Sequence, residues 1–164
     1  MAVPRRAAHR TGDGARGTAY AADVSAWALE QAGHLRAGRW AEIDVAHLAE
    51  EIEALSRAER HALTSALRLI LLHMLKWDRQ RERRSRSWTV TIRTQRLAVA
   101  ECLEDSPSLL PERALLMARA YRRARIEAAS ETGLPERDFP HDCPYGFDEV
   151  MERGFPWPDA SEES

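Results

Sequence analysis

Apolar residues recur along this chain at three- and four-residue spacing, and nowhere do they alternate as in a half-buried strand. The clearest stretch runs through Leu63, Leu67, Ile70, Leu71, Met74 and Leu75 to about Trp77. That spacing is one wide face of a helix, and it predicts the centre of the core. Before it, Val45, Leu48, Ile52 and Leu55 also share a helix face, which predicts a second buried stripe beginning after Asp44, a good N-cap. A first helix is expected from about Asp23 to Arg36, with Asp23 as cap, Trp27, Ala28 and Leu35 as its apolar side, and Gly38 as its stop. Ser56-Arg57-Ala58-Glu59 has the form of a capping box. It either starts a third helix or lies within one bent helix, and the pattern leaves both open.

Residues 78–87, DRQRERRSRS, are polar and read as a connection, with Ser85 or Ser87 able to cap the following helix. That helix carries Trp88, Ile92, Gln95, Val99 and Leu103 on one face. Ser106-Pro107-Ser108 breaks it. Pro111 suits the first turn of another helix, which carries Leu115, Leu116, Ala120, Ala124 and Ala128. Glu131-Thr132-Gly133-Leu134-Pro135 is a stop with glycine at the left-handed position and proline beyond it. The remainder is punctuated by proline and is too apolar for a free tail, with Phe139, Tyr145, Phe147, Phe155 and Trp157. It predicts an extended clasp over residues 134–157 that contains a short helix from Phe147 to Glu152. The fold class is therefore all-α, an antiparallel bundle of four to five helices with a Pro-rich C-terminal clasp.

The chain has 164 residues and 18.6 kDa, enough for one core and too little for two ordinary domains. Residues 1–19 are glycine- and arginine-rich and are expected to be a disordered tail. Residues 20–157 form the expected single bundle domain, and 158–164 a disordered acidic tail. Apolar residues make up 44% and charged residues 30%, which excludes a wholly disordered chain and a membrane protein. Cys102 and Cys143 make no CxxC or zinc pattern. The start has no apolar segment of a secretory leader and no amphipathic stripe of a transit peptide. The expectation is free thiols in a reducing cytoplasm.

The net charge of -2 points to no polyanion partner, but its distribution is uneven. Residues 76–96 hold eight basic and two acidic side chains; residues 42–59 hold one and six, and residues 127–164 two and eleven. Of the 24 basic residues only Lys76 is lysine, and arginine suits bidentate and buried pairing better than lysine does.

Several of these stretches occur together in a specific order: Glu50-Glu51-Ile52-Glu53, Leu71-Leu72-His73-Met74-Leu75-Lys76-Trp77, Glu82-Arg83-Arg84-Ser85-Arg86-Ser87-Trp88 with Thr91-Ile92-Arg93, Gln95-Arg96, Glu131-Thr132-Gly133-Leu134-Pro135 and Cys143-Pro144-Tyr145. In order and spacing they resemble the bacterial domain of unknown function family twenty-nine over about residues 20–157. The resemblance implies an all-helical bundle in a bacterial protein, and no activity.

Four kinds of chemistry compete for these residues. The basic and aromatic segment, with Lys76, Trp77, Arg83, Arg84, Ser85, Trp88 and Arg96, has the composition of an anion or nucleic-acid site, since guanidinium groups bind phosphate and indoles stack on bases. The bland alternative is internal pairing with the Glu50, Glu51 and Glu53 helix, which would put both indoles in the core. The same glutamates with His73 suggest a divalent-metal site, because bundles build such sites from facing carboxylates and imidazoles. Only one helix carries a His-x-x-Glu, however, at His47 and Glu50. A hydrolytic site would need Ser85, Ser87 or Cys143 with His73 or His141, and no Gly-x-Ser-x-Gly elbow is present. The fourth reading is an adaptor or homo-oligomer. The sequence thus favours a binding or interaction module for an anionic ligand or nucleic acid at the Arg/Trp segment, with no cofactor. The alternative is a metal-assisted enzyme using His73, Glu50 and Glu53.

Overall fold

The computed structural model describes residues 17–156. Residues 1–16, Trp157 and the expected acidic tail at 158–164 lie outside the described residues. Among those described there are five α-helices and no strand: α1 (Val24–Arg36), α2 (Val45–Arg79), α3 (Arg86–Asp105), α4 (Arg113–Thr132) and α5 (Phe147–Glu152). The chain divides between Ala54 and Leu55 into two compact units.

In the first unit Asp23 caps α1, accepting from the Ala26 N–H at 2.9 Å. Gly38 follows the helix with φ of +67°, the left-handed backbone that favours glycine. The buried face of α1 is Trp27, Gln31 and His34, not the expected Trp27, Ala28 and Leu35. Gln31 and His34 are buried because they have partners. Gln31 Oε1 accepts the Asp44 N–H at 2.7 Å, and His34 Nδ1 lies 3.2 Å from Glu42. Asp44 caps the start of α2 as expected, accepting from the His47 N–H. The second predicted stripe is corrected. Val45, Ile52 and Leu55 are exposed, because helical spacing places residues on one face without supplying an element to cover it.

The capping-box question is settled in favour of continuity. α2 is one helix of 35 residues, and Ser56 Oγ accepts from Arg60 Nη1 one turn later instead of capping a new helix. In the second unit the strong stripe is the core as predicted: Leu63, Leu67, Ile70, Leu71, Met74 and Leu75 are all buried. They pack with Ile92 and Val99 of α3 and Leu116, Ala120, Tyr121, Ala124 and Ala128 of α4. The alanine spacing on α4 lets that backbone approach closely. Leu115 is exposed instead of joining it.

Contacts along the helices give their directions. Cys102 of α3 approaches Glu59 of α2, and Trp88 meets His73, so α3 runs against α2. Arg60 pairs with Glu112, Arg68 with Glu127 and Lys76 with Glu131, so α4 runs with α2. Gly133, with φ of +71°, ends α4. Beyond it, Phe139, Tyr145 and Val150 are buried in the same core. The Tyr121 hydroxyl donates to the Pro140 carbonyl at 2.7 Å, and the Tyr145 hydroxyl donates to Asp78 at 2.7 Å. α5 spans Phe147–Glu152, where the sequence predicts it.

Candidate functional site

The end of α2 explains most of the Arg/Trp segment. The last four carbonyls of a helix lack intrahelical partners, and the dipole makes that end negative. Arg84 Nε donates to the Trp77 carbonyl at 3.0 Å, and its guanidinium lies 4.6 Å from the Trp77 ring centroid. Trp77 is buried, edge-on to Phe155. Lys76 pairs with Glu131, and its ammonium sits 4.6 Å from the Trp88 ring centroid. Arg96 Nε donates to the Val150 carbonyl at 2.7 Å, and its guanidinium faces Phe155. Burial and then Arg153 push the Arg96 guanidinium below its ordinary value, yet it stays charged at any physiological pH. Ser85 occupies the N-cap position of α3, but its hydroxyl shares a hydrogen bond with Ser87 and leaves the helix N–H groups alone. Arg83 is exposed, as are Arg81, Arg86 and Arg93. Of the seven expected site residues, then, Lys76, Trp77, Arg84, Trp88 and Arg96 tie elements together, while Arg83 projects outward.

His73 Nδ1 lies 2.8 Å from the Leu69 carbonyl and therefore donates to it. Burial, as the main cause, lowers its pKa, and the neutral ring meets Trp88 edge-on. Glu53 precedes His73 by twenty residues of one continuous helix, whereas helical neighbours stand three or four apart. Among the described residues no three His, Cys, Asp or Glu side chains converge to hold a metal ion. Glu51 instead accepts from the Tyr20 hydroxyl. Burial also raises the Cys143 thiol pKa, the opposite of what activates a nucleophile. Neighbouring His141 is exposed and pairs with Asp142.

A different site is assembled between α2 and α4. A concavity of about 550 Å³ is lined by Arg57, Arg60, His61 and Thr64 of α2 and by Leu116, Arg119, Arg122, Arg123 and Ile126 of α4. Five guanidinium groups line it, and among the described residues no carboxylate does. Arg60 is held by Glu112 in a two-bond fork, 2.9 Å in each arm. That bond raises the Arg60 pKa and lowers that of Glu112. Arg122 and Arg123 have no ion pair or hydrogen bond among the described residues. Charges of one sign around a concave, partly apolar surface focus a positive potential on it. Arg119, Arg122 and Arg123 are absent from the residues the sequence pointed to, and their one-turn spacing is the signal that could have found them. Their meeting with Arg57 and Arg60 was not legible, because it needs α2 and α4 side by side and parallel.

The fold and this groove define an all-α protein with a concave, arginine-lined surface. The chain belongs to the family described as domain of unknown function DUF29, whose sequence model matches residues 19–156. No curated protein and no solved structure matches it. No helix among the described residues is long and apolar enough to cross a membrane.

Proposed function

We propose that this protein is a binding module for anionic ligands and that the α2/α4 groove is its binding site. One observation carries the reading: five arginines from two helices border one concavity, and among the described residues lining it there is no carboxylate. Glu112 compensates Arg60 from beside the groove, whereas Arg119, Arg122 and Arg123 gather like charge on α4, and an anion seated against them relieves their repulsion. The volume falls within the range of small-ligand sites. The exposed Arg81, Arg83 and Arg86 lie past the other end of α2, and the tryptophans of that segment serve packing. A reducing, cytoplasmic setting in a bacterium fits the reading, since Cys102 and Cys143 are free thiols. Among the described residues no ligand set is assembled for the metal-assisted alternative.

The test is the thermal midpoint of the full chain in pyrophosphate against sodium chloride of equal ionic strength. A ligand at a hundred times its dissociation constant stabilises by about 2.7 kcal/mol. At this chain length that is a rise of roughly 5–11 °C. Arg122→Ser/Arg123→Ser should abolish the rise. An equal midpoint in both salts would remove the basis for an anion site here.

A further inference from the structure

We infer that the groove takes a chain of phosphoryl groups and reads its charge and acceptor geometry, with no recognition of a base; this rests on the anion-binding reading above and narrows it. The lining is almost purely donor. Arginine offers five N–H donors and no acceptor; Arg60 directs its own at Glu112 and Ser56, and Arg119, Arg122 and Arg123 supply the donors of the α4 wall. The Thr64 hydroxyl donates its hydrogen to the Arg60 carbonyl at 2.7 Å, which leaves its oxygen and the His61 ring as the acceptors of the lining. A ligand that carries only acceptors satisfies such a wall. One with N–H edges, such as a nucleobase, would find no carboxylate or amide oxygen among these lining residues and only those two acceptors.

The surfaces on which a base could stack are few: the His61 ring and the guanidinium planes. Among the described residues no Trp, Tyr or Phe lines the groove. Proteins that bind single strands rely on aromatic platforms for that purpose. The two tryptophans of the Arg/Trp segment are engaged elsewhere, Trp77 under Arg84 and Trp88 under Lys76. The apolar lining comes from Leu116 and Ile126, which exclude water without distinguishing one ring from another.

The spacing fits a short, dense anion. Arg119, Arg122 and Arg123 lie within a single helical turn of α4, about 6 Å of rise. Their forks converge on neighbouring phosphoryl groups, each able to accept bidentate pairs. Arg57 and Arg60 stand on the facing helix. A concavity of about 550 Å³ exceeds what one phosphate fills and suits several linked together.

The experiment is a calorimetric titration of the full chain, at one fixed ionic strength, with sodium tripolyphosphate, ATP and a short oligothymidylate. The expected result is binding of tripolyphosphate and ATP within about threefold of each other, with the oligonucleotide at least tenfold weaker. Arg122→Glu/Arg123→Glu should weaken tripolyphosphate by tenfold or more. Arg123→Gln alone should weaken it by a smaller factor with the fold intact by circular dichroism. ATP or the oligonucleotide binding more than tenfold tighter than tripolyphosphate would overturn the inference and leave the anion-binding reading standing. Binding of none of the three would overturn both.

Discussion

Arg83 and Arg84 are adjacent in sequence and chemically identical, yet the structure gives them opposite consequences. Arg84→Ala removes a charge-assisted hydrogen bond to the Trp77 carbonyl at the negative end of α2, and a cation–π contact to a buried ring. A hydrogen bond to a charged group contributes about 1.5–3 kcal/mol, and half-exposure of Arg84 brings that toward about 1 kcal/mol. The contact over the indole adds about 0.5–1 kcal/mol. The expected loss is about 1–2.5 kcal/mol, or a fall in thermal midpoint of roughly 2–10 °C. Arg83→Ala should stay within about 0.5 kcal/mol of the parent, as exposed substitutions do. Arg84→Lys keeps the charge but loses the planar fork, so it should fall between the two. Thermal unfolding of the three variants beside the parent, followed by circular dichroism, measures all of this. Equal losses for Arg83→Ala and Arg84→Ala, or no loss for Arg84→Ala, would refute the assignment of Arg84 to the end of α2.

Two further predictions concern titrating groups in the second unit. Burial pushes Asp78 upward, but hydrogen bonds from Arg153 and the Tyr145 hydroxyl outweigh it and hold the carboxyl below its ordinary value. Its stabilisation is therefore present above about pH 4 and is lost as pH falls through the lower folded value. Asp78→Ala should cost about 1–3 kcal/mol at neutral pH by urea denaturation and should flatten the acid limb of the stability curve. A variant whose acid limb keeps the parent's slope would show that Asp78 is not the group responsible. His73 is lowered by burial, so its contribution is present above about pH 6.5 and is lost as pH falls through the folded value. An NMR titration of the imidazole should place its midpoint below that of a free histidine, and a midpoint at or above it would contradict the buried, neutral ring.

The sequence carried the second unit's architecture well and the rest unevenly. The stripe from Leu63 to Leu75 was legible because helical spacing and strong apolarity agree over several turns. The stops at Gly38 and Gly133 and the caps at Asp23 and Asp44 were legible because each rests on local backbone chemistry. The face from Val45 to Leu55 misled, since nothing local records whether a stripe is covered. The buried Gln31 and His34 were illegible because their burial depends on partners a turn or a loop away. Run length misdirected the site search in the same way. Of the dense arginines after Lys76, Arg84 and Arg96 are taken by carbonyls of their own unit, while Arg81, Arg83 and Arg86 are exposed. The groove's arginines are spread over α2 and α4 and converge only through the parallel pairing of those helices.

The most direct test of the central claim is arginine footprinting with phenylglyoxal and mass spectrometry, with and without tripolyphosphate. Arg119, Arg122 and Arg123 are exposed, so they should react in the free chain and be shielded by tripolyphosphate, while Arg81, Arg83 and Arg86 should react equally with and without it. Shielding confined to Arg81, Arg83 and Arg86, with the groove arginines unchanged, would contradict it and return the site to the Arg/Trp segment.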